Sequence, residues 1–240
     1  MLRLAGLMGL MATGVTSIMD FGISSKEEDT TDPSTAATLE ANKTSTISLN
    51  LGIPDDPDLI FATQDDDTLF GSAGNDTVVG GDGDDAVNGS LNNDTVSGGH
   101  GDDVINGVED DTTTAHLDDT DGGDFLNGGS GDDVIIAGKQ DTVTAGDGAD
   151  TIVSGDWIQA GLATNLIDFN AKDDNVLLVY ADGDDEPEIS LQLDPETQGV
   201  TQIMMNGVVV ANVLNGSEVS LKDIAVMPLS LAQSSGMAPL

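Results

Sequence analysis

A chain of 240 residues with 44 acidic and six basic side chains carries a formal charge of −38, far too much like charge for an ordinary fold that lacks a counter-cation. Aromatic residues are 3% of the total and glycines number 30, which excludes a large conventional apolar core. The six bases (Arg3, Lys26, Lys43, Lys139, Lys172, Lys222) are scattered singly, which excludes nucleic acid and anionic lipid surfaces as partners, and the absence of cysteine excludes disulfides.

Residues 1–23 begin Met1-Leu2-Arg3-Leu4 and stay uncharged from Leu4 to Met19. One base followed by an apolar run suits a signal peptide or a membrane anchor, although it falls short of the ~20 apolar residues of a spanning helix. This segment is the only membrane contact expected. Residues 24–58 are acidic, rich in Thr and Ser, and carry Pro33, Pro54 and Pro57, which predicts a linker. Within it Ile47-Ser48-Leu49-Asn50-Leu51 alternates and predicts a short strand capping the repeats that come after it.

The segment 59–158 repeats every nine residues. Gly80-Gly81-Asp82-Gly83-Asp84-Asp85-Ala86-Val87-Asn88 is one copy; the units beginning at Gly98 and Gly128 are two more. The sixth position reads Asp67, Asp76, Asp85, Asp94, Asp103, Asp124, Asp133, Asp141 and Asp150. The eighth reads Leu69, Val78, Val87, Val96, Ile105, Leu126, Ile135, Val143 and Ile152. Two columns in phase mark a solenoid rather than an acidic disordered stretch. Residues 62–156 hold 22 Asp and one Glu, with Lys139 the only base. Three departures stand out: Asn92 in place of the fourth-position glycine, a unit one residue short at Ala137-Gly138-Lys139-Gln140-Asp141, and 12 extra residues from Gly107 to Asp118. Weaker or missing metal sites are expected at these places.

After Asp156 the repeat stops. The segments 176–180, 188–193, 203–205 and 208–211 read as strands, and Asn206-Gly207 predicts a two-residue hairpin. Residues 159–227 are therefore expected to form a small antiparallel β domain, with 228–240 a flexible tail.

The repeat chemistry points to calcium. This hard cation takes six to eight oxygens at ~2.3–2.6 Å, more than one short turn supplies. Glycines permit the positive φ that turns carbonyls together, and the sixth residue adds a carboxylate, so two stacked turns can enclose an ion. The last three residues form a minimal strand with the eighth side chain inward. One aliphatic residue per strand is a thin core, so folding and metal binding are expected to be a single event. The candidate ligands are Asp67, Asp76, Asp85, Asp94, Asp103, Asp124, Asp133 and Asp150. Asp141 is set aside because its unit is short and lies beside Lys139.

On these glycine and aspartate columns the segment resembles the RTX (repeats-in-toxin, haemolysin-type) calcium-binding family. The resemblance implies an RTX solenoid, a right-handed parallel β-roll with two nonapeptides per turn. It implies ligand pairs Asp67 with Asp85, Asp85 with Asp103 and Asp133 with Asp150 on one edge, and Asp76 with Asp94 on the other. It also implies secretion, typically from Gram-negative bacteria through an exporter that reads a C-terminal signal. The expected fold is thus all-β: a parallel β-roll followed by a small antiparallel β domain.

Other chemistry is weak. His100 sits at a variable third position and His116 in the insertion, both read as surface residues. Trp157 is expected to cap the open apolar end of the roll, and Leu166-Ile167-Asp168-Phe169 to form a core strand. No Ser-His-Asp or P-loop pattern is visible, so no catalytic residues are expected and the chain is read as not an enzyme. The reading is a secreted or surface-exposed calcium-binding protein acting structurally or in adhesion. The alternatives are an accessory module related to secreted carbohydrate-active enzymes or proteases, and a glycan-binding protein whose partner is an extracellular polysaccharide or cell surface.

Overall fold

The computed structural model describes residues 36–38, 48–49, 57–110, 117–214 and 219–237. The N-terminal segment 1–23, most of the 24–58 linker and His116 lie outside them. The described chain is almost entirely strand, arranged as two sheets between which the backbone alternates.

One sheet begins with β1 (Ala36–Thr38), β3 (Leu59–Phe61), β5 (Thr77–Asp82), β7 (Thr95–His100), β9 (Phe125–Ser130), β11 (Thr142–Asp147) and β13 (Thr164–Leu166), all parallel neighbours. The other runs β2 (Ser48–Leu49), β4 (Thr68–Phe70), β6 (Ala86–Asn88), β8 (Val104–Asn106), β10 (Val134–Ile136), β12 (Thr151–Gly155), β14 (Asn175–Tyr180) and β18 (Ile224–Pro228), also parallel. Each full turn therefore takes two nonapeptides, as Thr77 pairs with Thr95 and Ala86 with Val104. This is the parallel β-roll that the repeat predicts. The short strand expected at Ile47–Leu51 is present as β2, at the sheet edge.

The eighth-position residues stack between the sheets. Leu69, Val78, Val87, Val96, Ile105, Leu126, Ile135, Val143 and Ile152 are all buried, none more than 2% exposed. The stack continues past both ends of the visible repeat. Ile60 is buried nine residues before Leu69, so the described residues 57–61 continue the phase, with Asp58 at the sixth position. Above the roll, Leu166 lies over Val143 and Val176 over Ile152.

The expected antiparallel part is β15 (Ile189–Leu193), β16 (Val200–Met205) and β17 (Val208–Leu214). The Asn206-Gly207 hairpin is as predicted, both residues having positive φ. These strands extend the first sheet, because β17 pairs in parallel with β13. For the same reason Trp157 does not close an open end. It is 2% exposed, its ring lies against Gly155 and its Nε1–H donates to the Ala137 carbonyl at 3.0 Å, while β14 and β18 continue the sheet beyond it.

The 228–240 tail differs from expectation. Ile224–Pro228 is an edge strand on β14, and α1 (Leu229–Ser234) follows with Ala232 fully buried. Asp182 ties this end down by accepting from the Ser230 backbone N–H and hydroxyl. A segment without charge can supply apolar contacts as readily as it can stay free, and here it covers the last sheet edge.

Candidate metal centre

The turns between the sheets stack into two edges, each carrying a column of sixth-position aspartates. One column is Asp67, Asp85, Asp103, Asp133 and Asp150; the other is Asp58, Asp76, Asp94, Asp124 and Asp141. The columns are held by a repeated bond. The backbone N–H of each aspartate donates to Oδ1 of the aspartate one turn further on: Asp67 to Asp85, Asp85 to Asp103, Asp103 to Asp133 and Asp133 to Asp150 on the first edge. The second edge has Asp58 to Asp76, Asp76 to Asp94, Asp94 to Asp124 and Asp124 to Asp141. All eight bonds measure 2.7–2.9 Å. The insertion and the short unit, expected to disturb pairing, do not: the Asp94–Asp124, Asp103–Asp133 and Asp124–Asp141 bonds match the rest.

Only one oxygen of each carboxylate is used this way. The Oδ2 atoms of Asp58, Asp76, Asp85, Asp94, Asp103, Asp124, Asp133 and Asp150 are buried without a hydrogen-bond partner. A buried carboxylate oxygen left unmatched is costly, and a whole row of them requires a cation or protons. The glycine at position one is required by these oxygens. A methyl group placed on Gly80 would overlap Asp85 Oδ2 and the Gly98 carbonyl oxygen, and one on Gly128 would overlap Asp133 Oδ2 and the Ala145 carbonyl oxygen. Carboxylate and carbonyl oxygens from successive turns thus converge beside the same Cα, the class of oxygen donor that calcium takes.

Two members of the columns differ. Asp67 Oδ2 accepts from the Thr63 N–H and hydroxyl at 2.9 and 2.8 Å. Asp141, fully buried, has its Oδ2 taken by the Gly138 N–H at 2.6 Å, a bond made possible by the missing residue in that turn. Lys139 does not pair with the ligand column; its Nζ donates to the Asp119 carbonyl at 2.6 Å.

Without a cation, burial drives these acids towards their protonated forms. Burial, reinforced by neighbouring carboxylates and partly offset by backbone N–H donors, raises Asp85, Asp94 and Asp133 to about 7 and Asp103 to about 6. Burial and then the Asp141 charge push Asp124 to about 9. Asp76 and Asp150 are raised too, burial again leading, and burial lifts Asp141 well above the carboxylate range.

A sequence profile of the RTX calcium-binding nonapeptide repeat matches in four copies, at residues 55–87, 79–113, 118–152 and 138–156. Residues 55–156 are an RTX calcium-binding repeat array. The family binds Ca2+, and the buried acidic columns suit that ion. Among curated proteins none matches the chain. Similar solved structures include the extracellular lipase LipA from Serratia marcescens, 15% identical with a TM-score of 0.28, over 73% of this chain and 40% of that one. Another is the AlgE6R3 subunit of the Azotobacter vinelandii mannuronan C5-epimerase, 14% identical with a TM-score of 0.31, over 78% and 86%. The chain spans well under half of the lipase.

Several contributing residues were not singled out from the sequence. Fifth-position Asp66, Asp84, Asp102 and Asp132 form a second, more exposed column on the first edge, where Asp84, Asp102, Asp132 and Ala149 each donate a backbone N–H to the carboxylate one turn back. The second edge has Asn75 and Asn93 at that position, similarly bonded. The alternation of Asp and Asn at position five was a readable sign of the 18-residue turn. At the top of the first edge, Asp168 accepts from the Ala145 and Gly146 N–H groups, and Asp174 from those of Asn170 and Asp150. His100 is exposed, with Nδ1 2.6 Å from Ser130 Oγ, and takes no part in either aspartate column.

Proposed function

We propose that this chain is a secreted or surface-exposed protein whose roll folds on binding calcium and which acts structurally or in adhesion, without catalysis. The observation that carries the reading is the two columns of buried carboxylates, in which the Oδ2 atoms of Asp58, Asp76, Asp85, Asp94, Asp103, Asp124, Asp133 and Asp150 have no hydrogen-bond partner. Asp76, Asp85, Asp94, Asp103, Asp124, Asp133 and Asp150 would hold calcium through Oδ2, and Asp58 joins them. Asp67, at the lower end of its column, is the remaining sequence-read ligand, and a cation there would compete with the Thr63 donors. Bound calcium supplies the positive charge that lets these acids ionise and links one turn to the next. The chain's own contribution is to hold Oδ1 by a backbone N–H, so that Oδ2 is oriented before the ion arrives.

Such a chain suits export. Extracellular calcium modules have dissociation constants of about 10⁻⁴–10⁻³ M, above cytoplasmic free calcium and near the concentrations met outside cells. The roll would stay open inside and close outside. Fractionating a culture of the source cells and probing each fraction tests this: the protein is expected in the medium or on the surface. Finding it wholly cytoplasmic, while a known secreted protein is exported, would contradict the reading.

A second reading, recognition of a polysaccharide, is favoured by a ladder of amides across four neighbouring strands. Gln192 Nε2 donates to Gln202 Oε1, Gln202 Nε2 to Asn212 Oδ1, and Asn212 Nδ2 to Asn165 Oδ1, at 2.8, 3.4 and 3.1 Å. Gln202, Asn212 and Asn165 line an open groove of about 500 Å³ beside the hairpin. Calcium-dependent retention on an immobilised polysaccharide, lost in Asn212→Ala, would support it; retention unchanged by that substitution would not.

A further inference from the structure

The second edge brings three carboxylates together at one level. Oxygens of Asp94, Asp121 and Asp124 lie within 4.8 Å of one another, the only such group of three among the described residues. Asp121 lies just after the insertion, at the third position of the unit that resumes at Asp119, and the described ends of the insertion are anchored: Val108 and Leu117 are buried in the core, and Thr120 N–H donates to the Glu109 carbonyl. Asn93 clamps the returning strand through Nδ2 to the Gly123 carbonyl at 2.9 Å.

The three side chains are 1%, 5% and 1% exposed. In each, Oδ1 is already committed. Asp94 Oδ1 accepts from the Asp76 N–H and Asp124 Oδ1 from the Asp94 N–H. Asp121 Oδ1 accepts from the N–H groups of Gly122 and Asn92. In each, Oδ2 is buried with no partner. Oxygens bound to one calcium at ~2.3–2.6 Å can stand up to roughly 5 Å apart across it, so a mutual spacing within 4.8 Å fits a shared ion. Lys139, the nearest base in sequence, is turned to the Asp119 carbonyl. The Asn92 departure also acquires a role, since its backbone N–H orients Asp121.

We propose that Asp94, Asp121 and Asp124 form a three-carboxylate calcium site, filled before the other sites of the roll. This rests on the calcium reading of the repeats and deepens it. A turn of the regular kind presents its sixth-position carboxylate with backbone carbonyls. Asp121, at the third position of the unit that resumes at Asp119, adds a third anionic oxygen at this one level, and ligand charge is what raises affinity among calcium sites of similar geometry.

The test is calcium titration of the full chain against a competing chelator at pH 7.5, for the native protein and for Asp121→Asn. The native protein is expected to bind one ion at least about tenfold more tightly than the remainder. Asp121→Asn should lose that tight phase and keep the weaker class. Carboxyl-carbon NMR of the native chain gives a readout that does not depend on the variant's folding. The first equivalent of calcium should shift Asp94, Asp121 and Asp124 before Asp85, Asp103 and Asp133. A single class of equal sites, a tight phase that survives in Asp121→Asn, or a first equivalent that shifts Asp85 and Asp103 would overturn the site while leaving the calcium reading intact. No calcium binding by the native chain would overturn the reading itself.

Discussion

On the first edge of the roll the turns 80–85, 98–103 and 128–133 share glycines at positions one, two and four, aspartates at five and six, and positive φ at the second and fourth glycines. On the second edge no two turns are alike. Ser72 and Ser90 hold positive φ where the first edge has glycine, Asn92 does so at position four, one turn carries the insertion, and another is a residue short. Because a full turn takes two nonapeptides, each edge receives every second unit. One edge can then diverge while the other keeps the strands in register. Divergence has produced two opposite outcomes on the second edge. At Asp141 the spare oxygen is satisfied from within by Gly138, and at Asp94 and Asp124 a further carboxylate is added.

The comparison is most sharply broken on the regular edge. A methyl at Gly98 would overlap the Asp103 Oδ2 atom and its carboxyl carbon. Gly98 is not among the positive-φ residues, so Gly98→Ala acts through the ligand rather than through backbone conformation. It is expected to remove a site and raise the calcium midpoint of folding about tenfold or more, the scale of one lost ligand set. Far-UV circular dichroism during a calcium titration measures this; an unchanged midpoint would mean that the Asp103 carboxylate is not a ligand.

Next in size is the contrast between Asp103→Ala and Asp141→Ala. Both remove a buried acceptor of backbone N–H groups, at about 1–3 kcal/mol for each donor left behind: the Asp85 N–H for Asp103→Ala, and the Asp124 and Gly138 N–H groups for Asp141→Ala. Only Asp103→Ala should also reduce the number of calcium ions bound, because Asp141 spends both oxygens on N–H groups. Calorimetric stoichiometry separates the two. Equal loss of ions in both variants would show that the short turn binds calcium after all.

The smallest effect is on pH. In the metal-free chain the folded-state values of Asp85, Asp94, Asp103 and Asp133 lie at about 6–7, and that of Asp124 at about 9, against about 4 for an unfolded aspartate. Raised values mean that the folded form binds more protons. The stabilisation from protonation is complete below about pH 4 and disappears as pH rises through 6–7, with Asp124 releasing its proton last. In EDTA some β structure should therefore form near pH 5 and vanish by pH 8, and calcium added at pH 6 should release protons. A metal-free spectrum constant from pH 5 to 8 would contradict this.

Much of this was legible in the sequence where a physical rule acts on a local period. The sixth and eighth columns named the buried acids and the apolar stack, and Asn206-Gly207 named its hairpin. What escaped depends on contacts distant along the chain. Asp121 meets Asp94 across the insertion, which breaks the nine-residue spacing, so no period in the sequence links the two. The continuation at Asp58 and Ile60 was hidden because the sequence before them carries Pro54 where the repeat has a glycine, although Asp58 and Ile60 keep the phase. Beyond Gly155 the period ends, yet the sheets do not: β13 and β14 add to exposed edges by backbone pairing, which places no demand on a repeat.

The central claim is that cations complete the roll. Hydrogen exchange of the full chain, read by mass spectrometry in EDTA and again in millimolar calcium at pH 7.5, tests it most directly. The amides of Thr77–Asp82, Thr95–His100 and Phe125–Ser130 are expected to exchange freely in EDTA and to become strongly protected in calcium, with magnesium a poor substitute because it demands near-octahedral geometry. Equal protection of these strands with and without calcium would contradict the account.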